Sequence, residues 1–368
     1  MTATGIETAI AGKSVVVCAG AGGVGKTTTS AAIAAGMAAR GQKVLVLTID
    51  PARRLADSLG LPDLGNDEHR VDPRHLERAG LGGSGELWAM MLDAKLTFDD
   101  VIRRTAPDAA TRDAVLANSI YRQISSAVAG SQDYTAMEKL FELHDSGRYD
   151  VVVLDTPPTR NALDFLDAPG RFMRFVDSRS LQLFRAPGIP GIELFGRGAN
   201  TMLSLLQRVT GVETLREITD FVTVLGAMPE EVRKRVGVLE ELLRSSHTTF
   251  LLIASPRAPA MADASYFHAK LAEAGMPFGG VVVNRIHEQA GVETSTALDA
   301  ELSELLDPGL ARKVTRDLSD HNRLADHDAR NLELLTERMA GAIFTVPELS
   351  GDVHDVEGLG RVARHLFG

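Results

Sequence analysis

Residues 20–27 read Gly20-Ala21-Gly22-Gly23-Val24-Gly25-Lys26-Thr27, a complete G-x-x-x-x-G-K-[ST] phosphate-binding pattern. Each residue type answers a need of a phosphate. The glycines let backbone N–H groups from Gly22, Gly23, Val24 and Gly25 curl around an anion, and a helix starting at Thr27 and Thr28 adds positive potential. Lys26 is expected to reach the β- and γ-phosphates of a nucleoside triphosphate, and Thr27 to offer its hydroxyl to Mg2+. A second chemical signal is Tyr149-Asp150-Val151-Val152-Val153-Leu154-Asp155, an apolar strand ending in an acid. Beside a phosphate-binding loop, Asp155 is expected to support the ion, directly through Thr27 or through a water. Alone it would equally well be a residue that ends a strand.

These residues need strands and helices in a set order. Ser14 to Cys18 is β-branched and apolar, suited to a buried parallel strand, and Thr27 to Arg40 is an alanine-rich helix. Further strands are predicted at Lys43 to Ile49, Leu87 to Leu92, up to Asp155, Thr249 to Ala254, Gly279 to Asn284 and Ala342 to Val346. A helix is expected from Pro259 to Ala274, and a closing one after Pro347, from about Asp352. The alternation gives an α/β fold, a doubly wound and mostly parallel sheet. Gly60 to Gly85 reads as a surface excursion, and Thr97 to Ser146 as helices broken near Pro107 and Gly130. Between Leu163 and Leu243 Phe, Leu and Met abound without strand signal, which predicts an inserted helical subdomain. The expected organisation is a nucleotide-binding core in 1–162 and 246–368, with the insert at 163–245. The insert is either core covering one end of the sheet or a surface for apolar clients.

Composition narrows the functional classes. The chain has 368 residues, 44% hydrophobic and 24% charged, as expected of a globular protein with a full core. Its net charge of -10 opposes a nucleic-acid partner. No stretch reaches the ~18 apolar residues of a membrane span, and no signal peptide is evident, so a cytoplasmic protein is expected. The single cysteine, Cys18, excludes a disulfide within the chain and reads as a small buried hydrophobe. Ten histidines show no metal-ligand spacing.

Three residue sets together resemble the ArsA family of P-loop ATPases, which comprises arsenical-pump-driving ATPases and the guided-entry ATPases of tail-anchored membrane proteins. Asp50-Pro51-Ala52-Arg53-Arg54-Leu55-Ala56-Asp57 resembles the family's first switch; the resemblance makes Asp57 the carboxylate that orients the attacking water. On its own Asp57 would pass for a solvated helix residue. Asp155-Thr156-Pro157-Pro158-Thr159-Arg160-Asn161-Ala162-Leu163 resembles the second switch, with Arg160 and Asn161 where the family has Gly and His. Val281-Val282-Val283-Asn284 resembles the strand whose Asn recognises adenine, and Val346-Pro347-Glu348-Leu349 takes the place of the loop around the base. The resemblance implies ATP, Mg2+, a homo- or heterodimer, and work on a membrane-protein client or with a membrane transport partner.

Departures from the family pattern sharpen the expectation. The family carries a Lys directly after the first glycine of the loop, reaching the partner's phosphates; here that residue is Ala21. Either an unlike, Lys-bearing partner supplies the charge, or Arg53, Arg54 or Arg160 replaces it. One cysteine cannot form the thiolate sites that bind arsenite or clamp a dimer with zinc. The main expectation is therefore an ATPase serving a membrane protein. A catalytically weak regulatory subunit and a partition or positioning ATPase are its competitors.

Overall fold

The computed structural model describes residues 5–50, 54–61, 64–106, 108–118, 121, 131–157, 170, 229–292 and 296–368. Two compact units emerge: Met1–Met91, Ser146–Ala162 and Arg244–Gly368 form the first, Leu92–Asp145 and Leu163–Leu243 the second. The helices of Leu92–Asp145 thus group with the inserted stretch, and not with the core segment 1–162 in which the sequence places them. Contiguity along the chain suggested one unit there. Most of the expected insert, and Pro51, Ala52, Arg53, Arg160 and Asn161 of the two switch patterns, lie outside the described residues.

The first unit is built on eight strands: β1 (Val15–Gly20), β2 (Lys43–Thr48), β3 (His69–Arg70), β4 (Glu86–Met91), β5 (Val151–Asp155), β6 (Thr248–Ala254), β7 (Phe278–Ile286) and β8 (Ala342–Pro347). Their order in the sheet is β3-β4-β2-β5-β1-β6-β7-β8, parallel throughout except for the short antiparallel edge strand β3. Strands β1, β5 and β6 are almost continuously apolar because helices cover both faces of a parallel sheet, so neither face is left to water. Strand β5 sits between β2 and β1, and its register sets Asp155 opposite Thr48 on one side and Cys18 on the other. That places the carboxylate at the carboxyl edge of the sheet, where ligands of open α/β folds bind.

Short α1 (Glu7–Ile10) precedes β1, and α2 (Lys26–Ala39) follows it. Eleven residues of α2 are buried, because its small side chains let it lie between the sheet and α12 (Val356–Phe367). Helix α12 buries Val356, Leu359, Val362, Ala363, Leu366 and Phe367, one stripe at helical spacing, and Asp355 caps its start by accepting from Gly358 N at 2.8 Å. Contact with α2 is close enough that a Cβ on Gly36 would sit 2.2 Å from the Phe367 ring. Helices α3 (Arg54–Leu59) and α4 (Pro73–Arg78) complete the first half of this unit. Helix α9 (Ala258–Glu273) joins β6 to β7, while α10 (Thr296–Leu305) and the long α11 (Pro308–Arg338) lie between β7 and β8.

The second unit contains α5 (Ala94–Thr105), α6 (Ala109–Ala117), α7 (Ser131–Asp145) and most of α8 (Pro229–Arg244). Asp93 and Asp108 cap α5 and α6 through Leu96 N and Thr111 N. Two buried carboxylates have partners inside the unit: Asp99 accepts from Tyr121 OH at 2.6 Å, and Glu138 from Arg235 Nε at 2.6 Å.

Candidate active site

Between β1 and α2 the chain turns through Gly25, whose φ of 92° is a left-handed conformation that a side chain would resist. There is no room for one: a Cβ at Gly25 would meet Asn284 Nδ2 at 2.3 Å. Lys26, the first residue of α2, is buried, and its Nζ donates to Ala21 O at 2.9 Å, closing the loop on itself. Burial holds its pKa below the usual lysine value, with Asp155 and Asp50 opposing that shift and Arg54 adding to it. Desolvation therefore wins over the attraction of two carboxylates, which marks the ammonium as short of counter-charge.

Behind the loop, Asp155 Oδ2 accepts from Thr27 Oγ1 at 2.7 Å and from Thr48 Oγ1 at 2.9 Å. The other oxygen, Oδ1, is buried and has no hydrogen-bond partner among the described residues. An orphaned carboxylate oxygen in a protein interior is costly, and burial pushes the Asp155 pKa up to about 6, against the two hydroxyls that lower it. A carboxylate oxygen beside a hydroxyl is a hard, all-oxygen donor set that suits Mg2+. Thr156 ties β5 to β1, its N and Oγ1 both donating to Cys18 O.

Over these groups lies a cavity of about 600 Å3, within the range of small-molecule sites. Gly22, Gly23, Gly25, Lys26, Thr27 and Thr28 form one end; Asn284, Arg285, Pro347, Glu348, Leu349, Val353 and Val362 contribute to the rest. The residues expected at the site from 22 to 28 and at 284, 347 and 348 thus share one cavity, except Val24, whose side chain is core and whose carbonyl accepts from Asn284 Nδ2 at 3.0 Å. Asp155 lies beneath the lining, reached through Thr27.

The family model of anion-transporting ATPases matches residues 13–301, a span that takes in the loop, Asp155 and Asn284. The chain belongs to the ArsA family, and it is an ATPase. A Babesia bovis protein named "ATPase ASNA1 homolog" is 27% identical over 318 residues, covering 83% of this chain and 77% of that one. A Malassezia globosa "ATPase GET3" is 29% identical over 204 residues, 54% of this chain and 55% of the relative. A Halobacterium salinarum protein, provisionally named an arsenical pump-driving ATPase, is 32% identical over 175 residues, 47% of this chain and only 26% of its own length.

Elsewhere in the ATPase, α3 separates the residues of the first switch pattern. Arg54 lines the cavity, whereas Asp57, one turn on, is exposed and outside the lining. Asp50, Thr156, Arg285, Gly351, Asp352, Val353 and Val362 also line it, with no ligand role foreseen for them. Arg285 carried the least signal, because only its backbone sets it apart: its φ of 65° is the one positive value of a non-glycine among the described residues. Such a conformation costs ~1–2 kcal/mol. It falls where the β7–β8 register shifts between Asn284 and Ile286, and Glu348 N donates to Ile286 O at 2.9 Å just beyond. No helix among the described residues is long and apolar enough to cross a membrane.

Proposed function

We propose that this ATPase binds ATP with Mg2+ in the cavity and uses its hydrolysis to drive a membrane-protein client or a membrane transport partner. The observation that carries the nucleotide part is the convergence of Lys26, Thr27 and the orphaned Oδ1 of Asp155 beside one cavity. Backbone N–H groups of Gly22, Gly23 and Gly25 would hold the phosphates, and Lys26 would exchange Ala21 O for β- and γ-phosphate oxygens. Bound through Thr27 and Asp155, Mg2+ would neutralise charge on those oxygens. Asn284, Pro347 and Glu348 would enclose the base. Asp57 is proposed as the carboxylate that orients water; being exposed outside the cavity, it reaches that role by a shift of α3.

The partner half of the proposal rests on different grounds. An apolar, helix-forming stretch from Leu163 to Leu243 favours a hydrophobic client. The printed name of the Halobacterium relative favours a pump. As in the family, the working form would be a dimer with a like or a Lys-bearing chain, cytoplasmic and brought to the membrane by its partner, with no nucleic acid involved. Arg54 at the cavity favours a charge supplied in cis in place of the lysine missing at Ala21. Turnover by the purified chain separates this from the regulatory-subunit reading. We expect Mg2+-dependent hydrolysis that Arg54→Ala lowers by at least about tenfold with ATP binding retained. Intact binding without turnover in the unaltered chain would favour the weak regulatory subunit. Lys26→Ala should abolish tight ATP binding; unchanged affinity would overturn the site.

A further inference from the structure

We infer that Arg285 is a base-contacting residue of this ATPase, its guanidinium laid against the purine ring of the bound nucleotide. The inference rests on the reading that ATP occupies the cavity, and four observations support it.

The first is placement. Strand β7 lies two strands from β1, which leads into the phosphate-binding loop, so the carboxyl end of β7 is about 10 Å from it. A nucleotide with its phosphates on the loop, extended along the carboxyl edge of the sheet, carries its base across that span. The second is backbone. At the shift in register between Asn284 and Ile286 the left-handed Arg285 breaks the alternation of the strand, and its exposed side chain belongs to the cavity lining. A long cation held in a conformation that glycine would adopt without strain is retained against the local preference of the chain.

The third observation is the neighbouring wall. The bond from Glu348 N to Ile286 O hangs the loop after β8 beside Arg285, and that loop brings Leu349 and Val353 to the cavity, where Val362 joins them. Apolar side chains suit the faces of a flat heterocycle, and a planar guanidinium both stacks on such a ring and donates to its nitrogens. The fourth is the orientation of Asn284. With Nδ2 donating to Val24 O, the amide presents Oδ1 as its acceptor end. That acceptor complements the exocyclic amine of adenine and selects for it, while the guanidinium of Arg285 stacks on the ring and donates to a ring nitrogen that both purines share. Guanine offers a carbonyl where adenine has the amine.

The test is calorimetric titration of the full chain with ATP, GTP, AMP and pyrophosphate, comparing the unaltered protein with Arg285→Gly, Arg285→Asn and Lys26→Ala. Glycine takes the left-handed backbone without strain and asparagine tolerates it, so both variants should fold, with a melting temperature no lower than that of the unaltered chain. We expect Arg285→Gly to weaken ATP and AMP by roughly tenfold, the loss of one charged hydrogen bond, without narrowing the preference for ATP over GTP. Pyrophosphate binding should stay unchanged in Arg285→Gly and fall in Lys26→Ala. Unaltered ATP affinity in both Arg285 variants overturns the inference. So does a parallel loss of pyrophosphate, which would assign Arg285 to the phosphates. If Lys26→Ala leaves ATP and pyrophosphate binding untouched, the nucleotide reading itself fails.

Discussion

At Asp155 burial and chemistry pull against each other: a carboxylate 1% exposed keeps one oxygen without a partner among the described residues. Its folded pKa, up to about 6, stands above the usual aspartate value of 3.8, so the native metal-free protein holds this proton more tightly than the unfolded chain. Stability is therefore highest below the unfolded pKa, falls as pH rises between those two values, and stays reduced above about 6. Asp155→Asn removes the ionisation while keeping the shape. In urea titrations with chelator we expect it to stabilise the protein by ~1–3 kcal/mol near pH 7.5, with the gain gone near pH 4, while hydrolysis is lost. A destabilised variant at the higher pH would show that the hydroxyls of Thr27 and Thr48 need the charge. The sequence made Asp155, Lys26 and Thr27 legible because their chemistry demands fixed residue types at fixed spacing. Arg285 and Val362 were opaque for the opposite reason: one depends on a backbone angle, the other on which helix face meets a cavity. Asp57 shows a different limit, since a motif gives sequence position without saying where α3 points its carboxylate.

Among the described helices, α12 and α2 are bound most closely. Phe367 packs against Gly36 and under the Arg40 guanidinium, 4.2 Å from its ring centroid, and Arg40 also pairs with Glu7 in α1. Because α2 begins at Lys26 and α12 carries Val362 into the cavity, this contact braces two walls of the site at once. Phe367→Ala should cost ~3 kcal/mol in denaturant unfolding and weaken ATP binding; a stability loss without any change in affinity would confine the contact to the core. The parallel strands were legible from their apolar runs, and α2, α9 and α12 from their spacing and flanking residues, whereas the polar pair His69–Arg70 of β3 lay in the stretch read as a surface excursion. Helix α11 went unread. Its 31 residues are mostly charged or polar, with few buried positions, so the apolar periodicity is faint. Its start was marked nonetheless, since Asp307 accepts from Gly309 N and Pro308 stands in the first turn. The buried Asp328 of α11 accepts from both His287 N and His287 Nδ1, fastening the segment after β7, next to Arg285, to that helix.

Across the whole molecule, the candidate site draws together segments that are far apart in sequence. Nucleotide should therefore slow hydrogen exchange in residues 22–28 and in the loop from 347 to 353 together, although about 320 residues separate them. Protection confined to the first segment would mean that the distal wall does not enclose the ligand. Domain membership was the least legible property, because Leu92–Asp145 runs on directly from the sheet yet packs with residues beyond Leu163. Sequence pattern reports which face of an element is apolar, not which distant element covers it. The distant wall also bears on how the protein is made. At translation rates of about 5–20 residues per second, β8 leaves the ribosome roughly fifteen seconds to a minute after the phosphate-binding loop. On the proposed reading, the emerging polypeptide would have its cradle for phosphate before the wall that encloses the base, so nucleotide would hold the first strands less tightly than it holds the finished sheet.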